Sequence, residues 1–260
     1  MSPPRLGPLI VAALLGIVCA LLAAAPASWL GALLYAASGQ RVQLAEARGN
    51  WHNGSALLVL RGGADAQGAT LAPGRLDWHI ALGQIWRGQL QLRLHDAALG
   101  AQALRLGAMV RPSSWSVRQL APWQGQLPAS LLQGLGTPWN TLALRGHLEL
   151  TLHALVLAVA DGRAQLRGNA QLDARDVQSR LSLVAPLGSY RVVLRGEGAS
   201  ATLQLTTLDG PLRLQGTGLW NGRQWRFDGR GSAAPSRAAE LASLLGLLGE
   251  PAGNHVRIAF

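Results

Sequence analysis

From Val42 onward, apolar residues recur at every second position rather than every third or fourth. Gln89-Leu90-Gln91-Leu92-Arg93-Leu94 sets three leucines on one face, and Leu148, Leu150 and Leu152 repeat the arrangement between His147 and His153. Ala164 with Leu166, Ala170 with Leu172, Leu181 with Leu183, then Tyr190, Val192 and Leu194 continue it. Leu203 with Leu205, Leu212 with Leu214, and Trp225 with Phe227 extend the same spacing. A period of two describes half-buried strands, one face in a core and the other wet. Asp161-Gly162 and Asn221-Gly222 each separate two such runs and supply the positive φ that tight hairpins need. No helix-length segment interrupts residues 146–231, so parallel crossovers have no room and the pattern predicts an antiparallel meander.

Three stretches depart from the alternation. Leu6–Ala25 is free of charge and about 20 residues long, enough for a helix to cross a bilayer. Arg5 and the terminal amine precede it, so the positive-inside bias predicts a cytoplasmic tail over residues 1–5 and an exported remainder. Pro26 follows Ala23-Ala24-Ala25, and the run exceeds a signal peptide's apolar region, so an uncut anchor is expected rather than a cleaved signal. Pro128–Leu135 reads as a short helix opened by proline. Ser236–Leu248 reads as an amphipathic helix, with Leu241, Leu244, Leu245 and Leu248 on one face and Gly249 at its end.

The expected organisation is therefore a mainly β protein: tail 1–5, transmembrane helix 6–25, juxtamembrane segment 26–41, and a first β-layer over 42–110. A Pro/Trp-rich connector with the short helix covers 111–141, a second β-layer 142–232, and the C-terminal helix and tail 233–260. Periodicity leaves open whether the β-layers form a sandwich or one curved open sheet. Either way a long meander leaves edges and an apolar face that something must cover.

Composition narrows the chemistry. The one cysteine, Cys19, lies in the apolar run, so the exported part has no disulfide. The net charge of +10 comes entirely from dispersed arginines. That dispersal argues against nucleic acid and suits a solvated sheet face or an anionic surface such as lipid head groups or acidic protein patches. Asp173 and Asp176 sit beside Arg175 and Arg180 at a strand end, where turn and ion-pair roles outweigh acid–base catalysis. His147 and His153, six apart on one strand, lie about 20 Å from each other, too far to share a metal. No nucleophile elbow or phosphate loop is present, and Gly216-Thr217-Gly218 lies between β-runs rather than before a helix. No enzyme, cofactor or metal is expected.

Nine tryptophans are the unusual feature. They suit core packing, with interface roles as the alternative. Trp51, Trp78, Tyr190 and Trp220 are the candidate interface residues.

Several motifs follow one another in a recognisable order: Gly49-Asn50-Trp51-His52-Asn53-Gly54, Leu76-Asp77-Trp78 and Leu127-Pro128. Then come Pro186-Leu187-Gly188-Ser189-Tyr190, Leu205-Thr206-Thr207-Leu208-Asp209-Gly210-Pro211-Leu212, Gly216-Thr217-Gly218-Leu219-Trp220, and a terminal helix with Leu244-Leu245 and Leu247-Leu248-Gly249. Together they resemble protein N of the type II secretion system of Gram-negative envelopes, over nearly the whole chain. The spacing of Gly49 and Trp51 is one residue tighter than that family's Gly-Thr-x-Trp, which touches the local turn.

The resemblance implies a non-enzymatic, single-span inner-membrane component of that protein-transport machine, with a periplasmic β-domain docking on other secretion components. It carries over no catalytic or binding residue. The alternative it suggests is an AsmA-like groove that binds or conducts lipid, lined by Leu90, Leu92, Leu148, Leu150, Leu166 and Leu181.

Overall fold

The computed structural model describes residues 24–62, 69–83, 85–135 and 139–259. The chain forms one 15-stranded sheet in which every paired neighbour is antiparallel. The strands are β1 (Val42–Gly49), β2 (Asn53–Arg61), β3 (Ala69–Ala81), β4 (Gln89–His95), β5 (Leu104–Arg111), β6 (Ser114–Gln119), β7 (Trp123–Pro128), β8 (Arg145–Ala160) and β9 (Arg163–Gln178). They continue with β10 (Gly188–Gly198), β11 (Ala201–Asp209), β12 (Leu212–Trp220), β13 (Trp225–Ala233), β14 (Glu250–Ala252) and β15 (His255–Ala259). Spatial order follows chain order with two exceptions. β15 pairs β13 and leaves β14 outermost, and β7 pairs β8 off the main path. The sheet is open, not a barrel: it runs from β1 to β14.

The regions 42–110 and 142–232 are thus parts of one sheet. The link is β6, inside the Pro/Trp-rich connector, which pairs β5 on one side and the far half of the 16-residue β8 on the other. β7 takes the near half of β8, from Leu152 to His147. Gln119 covers the junction: its carboxamide donates to the Leu152 carbonyl and accepts from the Leu155 amide, beside the bulge where Ala154 turns to positive φ.

Register carries one apolar face across the sheet. Trp78 lies opposite Leu94, Leu106 opposite Leu92, and Val117 opposite Leu157. Leu157 in turn pairs Leu166, Leu172 pairs Val192, Val192 pairs Leu205, and Gly218 pairs Phe227. Four elements cover parts of this face. Helix α1 (Ala27–Ala37) sits over β1–β4, where Ala27, Ala56 and Trp78 form a buried core with Leu30, Leu44, Ile80, Leu92 and Leu94 around it. A 3-10 strap, Ala129–Leu135, reaches from β8 across to β2 and β3. Trp139–Leu142 forms a single helical turn, α2, which places Leu142 in the second core. Helix α3 (Ala238–Leu248), entered through the 3-10 turn Pro235–Arg237, completes that core with Leu241 and Leu244 against Val177, Val184, Leu187, Tyr190 and Leu212.

Two expectations are corrected. The transmembrane helix placed over Leu6–Ala25, with the cytoplasmic tail before it, falls outside the described residues except for Ala24 and Ala25. Among the described residues no helix is long and apolar enough to cross a membrane. α1 has 11 residues, which rise about 16 Å, half the ~30 Å of a hydrocarbon core. Its buried side is sheet core, with Gly31 against the Leu44 side chain. Single-pass inner-membrane localisation with a periplasmic bulk therefore has no support in the fold. Second, Leu181 and Leu183 do not lie in a strand. Ser179 Oγ accepts from the Leu181 amide and Ser182 Oγ from the Val184 amide, turning residues 179–187 into a loop. Local side-chain capture of backbone outcompetes a four-residue alternation.

Candidate functional site

The sequence-level candidates do not converge on one place. The structure brings Trp51 and Trp78 together: the buried Trp78 indole donates to the Trp51 carbonyl at 3.0 Å, and Trp51 meets His52 edge to face. Gly54, opposite Trp78, makes room for that indole, since a Cβ there would fall 2.6 Å from the ring and from the Arg48 carbonyl. Tyr190 is buried in the second core, where its hydroxyl donates to the Leu212 carbonyl at 3.0 Å. Burial pushes its phenol well above the ordinary tyrosine range. Trp220 stacks on Trp225 at 6.3 Å across the β12–β13 hairpin.

The acidic and histidine candidates resolve as structure. Asp173 is buried and ion-paired, and Asp176 occupies a positive-φ bulge. His147 and His153 are exposed. Among the described residues no group of three or more His, Cys, Asp or Glu side chains is placed to hold a metal.

What does converge is apolar surface at one end of the sheet. The turns β5–β6, β8–β9, β10–β11 and β12–β13 all lie at that end, as the pairs Arg111–Ser114, Ala160–Arg163, Gly196–Ala201 and Trp220–Trp225 show. The β3–β4 connection joins them there, the Val110 amide donating to the Gly88 carbonyl. Here the apolar face runs beyond α1, the strap and α3, which pack lower on the strands. Val110 is 58% exposed, Trp115 42%, Leu157 39% and Trp225 43%. Ile85 and Trp86 stand out from the β3–β4 connection at the same end, with Arg87 over the Trp86 ring at 4.3 Å.

Between these side chains the floor is Val117, Val159, Leu166 and Leu203. Gly168 and Gly196 pair opposite each other, and Leu166 closes over Gly196, where an added Cβ would fall 2.5 Å from the Leu166 carbonyl and 2.8 Å from its side chain. Trp115 and Trp220 are five strand spacings apart, about 24 Å along the sheet. The expected groove residues divide accordingly. Leu166 belongs to this floor, Leu92 and Leu148 lie under the covers, and Leu181 is off the sheet.

A family model for protein N of the type II secretion system (T2SS) matches residues 40–258. The chain belongs to the type II secretion system protein N family. The match covers all of the sheet but its last residue, Ala259, and membership ties the chain to the other components of that system in a non-catalytic capacity. No curated protein and no solved structure matches the chain.

The exposed belt is not evident from periodicity. Trp115 lies in the connector, where Pro, Ser and Gly mask a six-residue strand, and Val110 and Leu157 alternate like any core residue. A signal was available in Val110 and Trp115, which flank a four-residue hairpin with apolar character on both sides of the turn.

Proposed function

We propose that this protein N family member is a non-catalytic docking component of the type II secretion system, and that the apolar hairpin end of its sheet receives a protein surface from another component. The observation that supports this is the placement of Ile85, Trp86, Val110, Trp115, Leu157 and Trp225, all large, apolar and exposed, at the end of the sheet that α1, the strap and α3 leave uncovered. Exposed apolar surface marks interaction sites, and aromatic anchors dominate interface energetics.

The width favours a macromolecule. A span of about 24 Å accommodates two helices of 10–12 Å diameter, or a hairpin, and far exceeds a small ligand. Trp115 and the stacked Trp220–Trp225 pair mark the two ends of that span.

The strand edges make a poorer contact surface. β1 has a bulge between Ala45 and Arg48, with Glu46 at positive φ, and β14 has three residues including Pro251. Bulges, short strands and edge prolines are the devices that discourage strand addition.

The test is a Trp115→Asp, Leu157→Asp double variant expressed at wild-type level in cells whose own copy is deleted. The expected result is at least a tenfold loss of exoprotein secretion with the thermal unfolding midpoint unchanged. Secretion at the wild-type rate would overturn the proposal.

A further inference from the structure

The opposite, polar face carries an observation of its own. On β10–β13 the residues facing away from the core include Arg195, Arg213, Arg226 and Arg230, all exposed. Among the described residues no carboxylate pairs with any of them. Two carboxylates share this face: Glu197, two residues beyond Arg195 and opposite Arg167, and Asp228, between Arg226 and Arg230, which is taken by Arg257 at 2.8 Å. Arg230 lies directly opposite Arg257 in the β13–β15 register. Like charges directly opposed across strands are unfavourable, and Asp228 offsets the Arg257 charge while Arg230 has no ion-pair partner of its own among the described residues.

The arginines surround a floor without charge. Thr202, Gln204, Gln215 and Thr217 offer hydroxyls and carboxamides, and Leu219 stands 57% exposed in the register row that runs from Arg195 through Thr202 to Arg226. Arg195 and Arg226 are three strand spacings apart, about 14 Å, and Arg226 and Arg230 are four residues apart, about 13 Å. Those separations are too long for one phosphate or carboxylate to bridge. They match a chain in extended conformation, whose like-facing side chains repeat every ~6.6 Å. An exposed apolar centre within a cationic rim is the anatomy of a protein interface rather than of a glycan site.

We infer that the polar face of β10–β13 is a second docking surface, one that takes an acidic polypeptide segment carrying an apolar residue between its carboxylates. Arg195, Arg226 and Arg230 supply the charge and Leu219 the apolar contact. This surface is separate from the hairpin-end belt and does not depend on it.

The test uses the purified full chain and a fluorescently labelled alternating Glu-Leu dodecapeptide, followed by anisotropy at several salt concentrations. The expected result is salt-dependent binding that weakens at least tenfold in an Arg195→Gln, Arg226→Gln, Arg230→Gln variant and several-fold in Leu219→Ala. Trp115→Asp leaves it unchanged, and both surface variants unfold at the wild-type temperature. Equal affinity in wild type and triple variant would overturn the inference. So would tighter, arginine-dependent binding to phosphatidylglycerol vesicles or heparin than to the peptide, which would make the face a lipid or glycan site instead.

Discussion

Asp173 and Arg191 face each other across β9 and β10, the guanidinium donating to both carboxylate oxygens at 2.7 and 2.6 Å. Asp173 is 4% exposed, and Arg175 adds a contact at 3.3 Å. The hydrogen bonds from Arg191 hold its carboxyl below the usual carboxylate range. Burial works against that shift, and the charges of Arg191 and Arg175, with a hydrogen bond from Gln171, add to it. The pair locks the centre of the polar face while the two cores lock the other face.

Arg191→Gln is expected to destabilise the fold at pH 7, because it leaves a buried carboxylate short of its strongest donor. A carboxyl whose folded pKa is lowered contributes stability that is present above its unfolded value of about 3.9 and is lost as pH falls through the folded value. The gap between wild type and variant in urea unfolding therefore stays constant from pH 7 to pH 5 and closes below about pH 4. A gap that persists undiminished at pH 2 would rule out this linkage.

Tyr190 gives the opposite pH signature. Burial raises its folded pKa, so its contribution is complete below the unfolded value of about 10 and is lost as pH rises through the folded one. Tyr190→Phe removes the hydroxyl bonded to the Leu212 carbonyl and should cost about 1–2 kcal/mol at neutral pH. Between pH 10 and 12 the difference between wild type and variant should shrink, as measured by denaturant titration.

Leu241 is fully buried between α3 and the sheet. Leu241→Ala is expected to destabilise by about 2–5 kcal/mol, as cavity-forming leucine truncations do. The α1 core around Trp78 shares no residue with this one. Hydrogen exchange should therefore show loosening over β10–β13 and α3 with protection on β2 and β3 unchanged. Uniform loss across all strands would mean one cooperative unit instead.

Gly54→Ala probes the other core. An added methyl meets backbone carbonyls of Arg48 and Asn50 as well as the Trp78 ring, and neither carbonyl can move without breaking the β1–β2 turn. A cost of about 1–3 kcal/mol is expected, with a change in Trp78 fluorescence. An unshifted melting curve would show that the Gly54–Trp78 packing is looser than described.

The alternation made most of the sheet legible, because a two-residue period is dictated by one wet face and one dry face, and these strands have both. Ser236–Leu248 was legible for the same reason in helical form, though its first turn tightens to 3-10 at Pro235–Arg237. Three features were not. α1 has no charged residue and no side-chain cap, so nothing separates it from the apolar run before it. β6 and β7 are six residues each and sit among prolines and glycines. The candidate site was hidden because exposure depends on where the covers stop, and that is set by the lengths of α1, the strap and α3 rather than by any motif. Trp78 and Tyr190 show the converse: aromatic residues beside glycines marked core positions, where Gly54 and Gly188 make room for their rings.

The most direct test of the docking role is photo-crosslinking in secreting cells, with a photoreactive amino acid at Leu157 in the full chain and a control probe at Gln165 on the opposite face of the sheet. Mass spectrometry of the adducts should identify another type II secretion component at Leu157 and none at Gln165. Lipid adducts alone, or no adduct at Leu157, would contradict docking through the apolar hairpin end.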